Sequence, residues 1–278
     1  MKSVKKLMTS AFAIALSVSL VACGGAKTTG DTNNGQAVSN TDKVLRVQFD
    51  VEVASMDPQI ATDGTSFEVI AAITEGLYSI DEAGNPILAA AESVEKSDDG
   101  LTYTFKMKDA KWSNGAPVTA NDFVFAWKRL VDPNTASEYA FIAGIAGIKN
   151  ADDISAGKVG VEELGVKAED DKTLVVELSH PVTFLESLLA FPSFYPVNEE
   201  FYTSAGDKFG TSPDTMIANG PFKISAYEPA ATTIDLVKNE DYWDASAVKL
   251  GGIKFQVIKE AQQTMLSYQN GDLDVSEV

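Results

Sequence analysis

Few side chains in this sequence have the types and spacings that catalysis requires. The chain contains one histidine, His180, and one cysteine, Cys23. A Ser-His-Asp triad could use only His180, and no G-x-S-x-G motif accompanies it. His180 stands directly before Pro181, between a predicted strand and a predicted helix, and we interpret it as a packed or solvated turn residue. Nucleophilic catalysis therefore has little support in the sequence.

Metal, cofactor and acid–base sites are also poorly supported. One histidine and one cysteine cannot form the cluster that binds zinc, and neither a D-x-D-x-D-G calcium loop nor a Gly-rich phosphate loop is present. Ser93 and Lys96 match S-x-x-K, but beside a polar turn and without the rest of that signature. We expect no catalytic residue, no metal, no cofactor and no enzymatic activity. The adjacent acids predict solvated faces: Asp98-Asp99, Asp152-Asp153, Glu162-Glu163 and Glu169-Asp170-Asp171.

The start of the chain has the pattern of a secretion signal. Lys2, Lys5 and Lys6 precede the uncharged run 7–22, which ends in small residues. A membrane-spanning helix needs about 20 predominantly apolar residues, and this run is shorter and contains serines and a threonine. We therefore predict that 1–22 is a cleaved signal peptide.

Cys23 follows this run directly. The tetrapeptide L-V-A-C that ends at Cys23 resembles the bacterial lipobox, and the resemblance implies cleavage before Cys23 and diacylation of its sulfur. Two or three acyl chains are enough for stable anchoring. We predict a lipid anchor at Cys23; the alternative is an ordinary signal with an incidental cysteine.

The composition predicts a flexible linker followed by an exported globular body. Residues 23–43 are rich in Gly, Thr, Asn and Ser, which is typical of a flexible linker. The rest is globular in character, since the whole chain is 45% hydrophobic and 22% charged. The formal charge of −18 argues against nucleic acid and anionic lipid headgroups as partners. A single cysteine excludes an intramolecular disulfide.

The periodicity of the body predicts alternating strands and helices, and hence an α/β or α+β protein. Thr119 and Asp122 have the spacing of a capping box, and the helix that they begin should stop before Pro133. The predicted strands are 44–49, 101–107, 174–178, 222–225, 232–237 and 253–258. The other predicted helices are 66–75, one that begins at Pro181 and carries Phe184, Leu185, Leu188 and Leu189, and 261–268.

A series of short motifs resembles the family 5 extracellular solute-binding proteins, the oligopeptide-binding proteins of ABC importers. The central part is Glu75-Gly76-Leu77-Tyr78 followed by residues 111–123 with Asp132-Pro133. The similarity extends over nearly everything from Val44 onward. Its further motifs are Ser55-Met56-Asp57-Pro58, residues 134–139, residues 164–168, Asn219-Gly220-Pro221-Phe222, Asp241-Tyr242-Trp243 and Gly271-Asp272-Leu273-Asp274.

The resemblance implies a periplasmic-binding-protein-like, two-lobed α/β fold of class II, with lobe I at 44–74 and 199–278 and lobe II at 75–198. Peptide-binding members hold an extended ligand between the lobes as an added strand. The segment Glu52-Val53-Ala54 matches the one that contacts the ligand backbone, although it could be an ordinary edge segment. Tyr139 matches a tyrosine that reaches the ligand from lobe II, although a core position is the alternative. We assign Trp112 and Trp127 to packing.

The function implied is that of an extracytoplasmic, lipid-anchored, monomeric substrate-binding protein on the cell surface or in the periplasm. It would capture oligopeptides and deliver them to the permease subunits of an ABC transporter, without binding nucleic acid. The alternatives are another solute, such as a sugar or a metal chelate, and a surface lipoprotein that serves as an adhesin or sensor. Members of the family are considerably longer, so we expect this chain to be truncated and to lack a third domain.

Overall fold

The structure is a computed structural model that describes residues 43–227 and 232–276. All of these residues belong to one compact unit, Val38–Val278. The predicted signal peptide, the lipid anchor at Cys23 and all but the last residue of the predicted linker lie outside the described residues. Within the described ranges, no helix combines the length and apolar character that crossing a membrane requires.

The described residues form a mixed α/β fold, as the sequence predicts. The strands are β1 (Val44–Phe49), β2 (Tyr78–Ile80), β3 (Pro86–Leu88), β4 (Ala91–Lys96), β5 (Thr102–Met107), β6 (Val166–Asp170), β7 (Thr173–Glu177), β8 (Phe222–Ala226), β9 (Thr233–Lys238) and β10 (Gly252–Val257). The α-helices are α1 (Gly64–Ile73), α2 (Ala120–Val131), α3 (Phe141–Ile145), α4 (Ala151–Ser155), α5 (Leu185–Leu188), α6 (Glu199–Ala205) and α7 (Ala261–Gln269).

One sheet has the strand order β1-β10-β9-β8. β1 and β10 are parallel, whereas β9 pairs antiparallel with both β10 and β8. Phe49 and Phe255 stack on this sheet with ring centroids 4.6 Å apart. Together with buried residues of α1 they belong to a smaller hydrophobic core, which draws on Phe49–Ile73 and Ala218–Phe255.

A second sheet, β4-β5-β7-β6, is antiparallel throughout, and β2 and β3 form a separate hairpin. Tyr103, Phe105 and Met107 alternate along β5 and are buried, as their spacing predicts. The amphipathic helix α2 packs on this sheet. These elements form the larger hydrophobic core, whose buried residues lie between Leu77 and Ile217.

The predicted capping box of α2 is present. Asp122 accepts a hydrogen bond from the Thr119 N–H at 2.8 Å, and its other oxygen accepts one from the Asn198 amide at 3.1 Å. Asp122 also accepts a hydrogen bond from Trp112 Nε1 at 3.1 Å. Burial raises the pKa of Asp122 above its usual value, while these hydrogen bonds oppose the rise. The signature region 111–123 is thus a structural unit that fixes the start of α2.

Two helix predictions need correction. α1 begins at Gly64 rather than Ser66 and ends at Ile73 rather than Glu75, because Asp63 caps it by accepting from the Ser66 N–H at 2.8 Å. The helix predicted from Pro181 is reduced to the four residues Leu185–Leu188. Of the four apolar residues that the predicted helix would carry, Phe184 precedes the observed helix and is 53% exposed.

Candidate functional site: the strand ends and the junction between the two cores

The chain passes between the two cores at residues 73–76 and 218–221, which we call the junction. The Asn219 amide donates to the Glu75 carbonyl at 3.0 Å, and its Oδ1 accepts from the Glu75 N–H at 2.9 Å. The Gly220 N–H donates to the Ile73 carbonyl at 2.9 Å. A Cβ at Gly220 would lie 2.8 Å from the Ile73 backbone, so only glycine permits this approach. The two segments are therefore tied together by backbone contacts.

The Glu75 carboxylate lies at the centre of this junction. It accepts a hydrogen bond from the Tyr242 hydroxyl at 2.6 Å and from Trp243 Nε1 at 2.7 Å. Lys108 Nζ lies 3.5 Å from the centre of the Trp243 ring. Burial raises the pKa of Glu75, and the two hydrogen bonds and the charge of Lys108 oppose the rise. Three motifs distant in sequence, at 75–78, 219–222 and 241–243, thus meet at one partly buried carboxylate.

A small cavity of about 150 Å³ adjoins the junction. Glu75, Tyr78, Tyr195 and Tyr242 are among its lining residues. The Tyr78 hydroxyl is buried and has no hydrogen-bond partner in the described part of the protein. Burial, with the negative charge of Glu75, raises the pKa of Tyr195 to about 12. Burial likewise raises the pKa of Tyr78 and of Tyr242 above the usual value for a phenol.

A second connection between the cores is the buried side chain of Arg129 on α2. Its guanidinium donates to both oxygens of Asp57, at 2.7 and 3.2 Å, and to Gln59 Oε1 at 2.8 Å. Gln59 Nε2 in turn donates to the carbonyls of residues 193 and 195, both at 3.2 Å. The guanidinium also lies 4.0 Å from the centre of the Tyr202 ring. This bidentate pair fixes residues 57–59 against α2.

The predicted ligand segment Glu52-Val53-Ala54 begins three residues after Phe49, the last residue of β1. Glu52 Oε1 lies 2.7 Å from Lys259 Nζ, and Val53 is buried in the smaller core. The Ala54 N–H donates to Ser66 Oγ at 3.0 Å, so it is already occupied. No hydrogen bond to the backbone of Val51 or Val53 occurs within the described ranges. Val51 and Val53, which alternate along the chain here, therefore have backbone groups available to an added strand.

Lys259 lies two residues beyond the carboxyl end of β10, and Glu52 lies three residues beyond that of β1. β1 and β10 are parallel neighbours, with Phe49 opposite Val257. The two strands stay connected beyond this pair, because the Ile258 N–H donates to the Phe49 carbonyl at 2.8 Å. In open α/β sheets, ligands bind outside the carboxyl ends of parallel strands. The edge that carries Glu52 and Lys259 is therefore the place where this sheet favours a ligand.

Tyr139 lies in an aromatic cluster beside α1. Its ring centroid is 5.5 Å from that of Phe67, 5.2 Å from that of Phe191 and 5.7 Å from that of Phe141. Phe67 follows Ser66 in the sequence, and Ser66 Oγ accepts the hydrogen bond from the Ala54 N–H. α1 thus contacts both the predicted ligand segment and Tyr139. Tyr139 is only half-buried, and its contact with a ligand stays a prediction, as do those of Glu52, Val53 and Ala54.

The structure also places the residues to which the sequence assigns no ligand contact. His180 is exposed, and its Nδ1 lies 3.0 Å from Ser179 Oγ. Trp112 and Trp127 are buried in the larger core. Among the described residues, no three His, Cys, Asp or Glu side chains are grouped so that they could hold a metal ion.

Sequence reasoning missed three residues of the site. They are Lys259, Arg129 and Asn219, the last as the residue that binds the Glu75 backbone. Each contacts a partner far away in the sequence, and hydrophobic periodicity does not reveal such contacts. One signal was present for Lys259, because it directly follows the predicted strand 253–258, where the carboxyl-end rule places ligand contacts. Which strand lies beside β10 could not be read from spacing.

Comparison with known proteins gives consistent matches. The family model described as bacterial extracellular solute-binding proteins, family 5 Middle, matches residues 85–278. The dipeptide-binding protein of Lactococcus lactis subsp. cremoris is 40% identical over 276 residues, covering 97% of this chain and 47% of that protein. The oligopeptide-binding protein OppA of Bacillus subtilis is 39% identical over 257 residues, covering 92% of this chain and 46% of that protein.

The solved structures agree with this result. Listeria monocytogenes OppA bound to peptide matches with a TM-score of 0.81 and 42% identity, over 84% of this chain and 46% of that one. The chain spans about half the length of the relatives it matches. The predicted resemblance and the periplasmic-binding-protein-like α/β fold are thereby confirmed. The chain belongs to the family 5 bacterial extracellular solute-binding proteins.

Proposed function

We propose that this protein captures oligopeptides outside the cytoplasm and delivers them to the permease subunits of an ABC importer. The observation that carries the proposal is the unpaired backbone of Val51 and Val53 at the carboxyl end of β1. An extended peptide supplies the matching donors and acceptors as an added strand, and such pairing is independent of the peptide's sequence. The relatives named above are dipeptide- and oligopeptide-binding proteins, which supports the same ligand class here.

In this proposal, the peptide lies against Glu52-Val53-Ala54, and Tyr139 approaches it from the other side. Ala54 would contribute through its carbonyl and side chain, because its N–H is held by Ser66. Affinity comes from backbone hydrogen bonds, and the side chains of the peptide are accepted loosely. No step of bond making or breaking is needed, and we propose a binding protein rather than an enzyme.

The two cores correspond to two lobes that close on the peptide, with the junction at 73–76 and 218–221 as the hinge between them. The predicted division into 44–74 with 199–278, and 75–198, stays a prediction. Tyr202 and Phe209 pack against the larger core, which favours a second boundary nearer Ala218. The Glu75 and Asn219 contacts would set the stiffness of this hinge.

The remaining parts of the proposal concern location and partners. A lipid anchor at Cys23 would hold a monomeric protein on the extracytoplasmic face of the cell membrane, and residues 23–43 would let it reach the permease. The negative charge of the chain disfavours the anionic membrane surface itself as a binding partner, so the acyl chains would supply the attachment.

Calorimetric titration with short peptides tests the proposal. We expect binding of several tri- to pentapeptides of unrelated sequence, with affinities that differ little between them. Binding of a sugar or a metal chelate without any peptide would instead assign the site to another solute. Binding of none of these would favour a surface lipoprotein such as an adhesin or sensor.

A further inference from the structure

The ion pair between Glu52 and Lys259 lies where the peptide would bind. We propose that Lys259 is a specificity-determining residue, which neutralises Glu52 and so lets the site accept peptides with or without a positive charge. This inference rests on the proposed function and extends it to the charge class of the ligand. Lys259 acts through Glu52, and it is therefore a positioning residue rather than a direct contact.

The geometry brings these two charges together in a defined way. Lys259 Nζ and Glu52 Oε1 are 2.7 Å apart, and both side chains are about half exposed, at 59% and 47%. Their backbones are held in register, because Gln48 Nε2 donates to the Ile258 carbonyl at 2.9 Å. The hydrogen bond from Lys259 lowers the pKa of Glu52 below its usual value. Glu52 is thus an ionised carboxylate that already has a cationic partner.

Apart from Lys259, the charged residues in the two segments that carry the ion pair are all acidic. Residues 50–53 and 258–260 contain three acids, Asp50, Glu52 and Glu260, and Lys259 is the one basic residue in these segments. Without it, this edge of the sheet would carry a concentrated negative charge, which would attract cationic peptides and repel acidic ones. With it, a lysine or ammonium group on the peptide has to displace Lys259 from Glu52. A half-exposed ion pair is weak enough for such an exchange.

Lys259→Gln in the otherwise unchanged protein tests the inference. The probes are tetrapeptides in which lysine or glutamine stands at each position in turn among alanines, and the readout is the ratio of the glutamine to the lysine Kd by calorimetry. We expect the variant to raise this ratio about threefold at low ionic strength. The increase should vanish near 1 M salt, where the screening length is about 3 Å.

Two further variants test whether the effect is specific to Lys259 and whether it acts through Glu52. Lys254→Gln removes the same charge from β10 itself, at a residue that lies 3.6 Å from Asp235, and it should leave the ratio unchanged. In a Glu52→Gln background, Lys259→Gln should change the ratio much less, because only Asp50 and Glu260 remain as acids in these segments. An unchanged ratio in the single variant, or an equal rise in the Glu52→Gln background, would overturn the inference while the proposed function stands. Absence of all peptide binding by the unmodified protein would overturn both.

Discussion

Asn219 clamps the backbone of Glu75, with its Oδ1 2.9 Å from the Glu75 nitrogen and its Nδ2 3.0 Å from the Glu75 oxygen. One buried side chain thereby satisfies both polar backbone groups of a residue that lies 144 positions away. The clamp holds the Glu75 carboxylate where Tyr242 and Trp243 can donate to it. The connection between the two cores therefore depends on polar contacts as much as on packing.

We expect Asn219→Ala to lower the free energy of unfolding by about 2 kcal/mol, because it leaves a donor and an acceptor of Glu75 without partners. Denaturant unfolding measures the change. Asn114→Ala serves as the control, since Asn114 accepts from the Ala116 N–H in an exposed turn. A loss no larger than that of the control would show that the clamp contributes nothing to the junction.

The partly buried Glu75 carboxyl should make the free energy of unfolding depend on pH with a defined sign. Its pKa is raised above the ordinary value of 4.5, so the folded protein holds this proton more tightly than the unfolded chain. The stability from this group is fully present below pH 4.5 and is lost as pH rises through the folded pKa. The stability of the unmodified protein relative to Glu75→Gln should therefore decrease with rising pH above 4.5, by at most about 1.4 kcal/mol per pH unit.

Asp274 serves as a control, because its effect on the pH dependence of stability should have the opposite sign. Hydrogen bonds from Arg46 lower the pKa of Asp274 to about 2. Its contribution to stability is present above its ordinary pKa of 3.8 and is lost as pH falls toward 2. Relative to Asp274→Asn, the unmodified protein should gain stability as pH rises over this range. Slopes of the same sign for the Glu75 and Asp274 variants would contradict at least one of the two assignments.

Removal of one member of the Arg129–Asp57 pair should be strongly destabilising. Both side chains are buried, so Arg129→Met leaves an uncompensated carboxylate and should cost about 3–5 kcal/mol. The double variant with Asp57→Asn should lose less than the sum of the single changes. Lys158→Met, which breaks an exposed pair with Asp153, should cost less than about 1 kcal/mol. Additive losses in the double variant would exclude coupling.

Lipidation of Cys23 is a separate expectation from the L-V-A-C sequence. Growth with a fatty-acid analogue should label the unmodified protein and should not label Cys23→Ser. When the cells are fractionated, more of the variant than of the parent protein should then be recovered outside the membrane fraction. Equal labelling of the two proteins would mean that the anchor is elsewhere or that there is none.

The parts of the fold that the sequence predicts are those with a strong local pattern. β5 alternates tyrosine, phenylalanine and methionine with polar residues, and α2 has both a capping box and a proline after its end. β4 and β6 were missed because Ala91–Lys96 and Val166–Asp170 are rich in charged residues. Their strand pairing comes from neighbours in the sheet, which override weak local preference.

The site is less predictable than the fold. Glu52, Val53, Ala54 and Tyr139 were identified through family resemblance, since nothing in their own spacing points to a ligand. The pairing of Glu52 with Lys259, and of Asn219 with Glu75, depends on which strands become neighbours. Such long-range contacts are properties of topology rather than of any local pattern.

The central claim is that a peptide pairs with the backbone that follows β1. Amide hydrogen exchange at Val51 and Val53, measured with and without a saturating peptide, tests this claim most directly. We predict that both amides are slowed by the peptide, whereas the Ala54 amide, already held by Ser66, changes little. Peptide binding that leaves exchange at Val51 and Val53 unchanged would show that the peptide lies elsewhere on the protein.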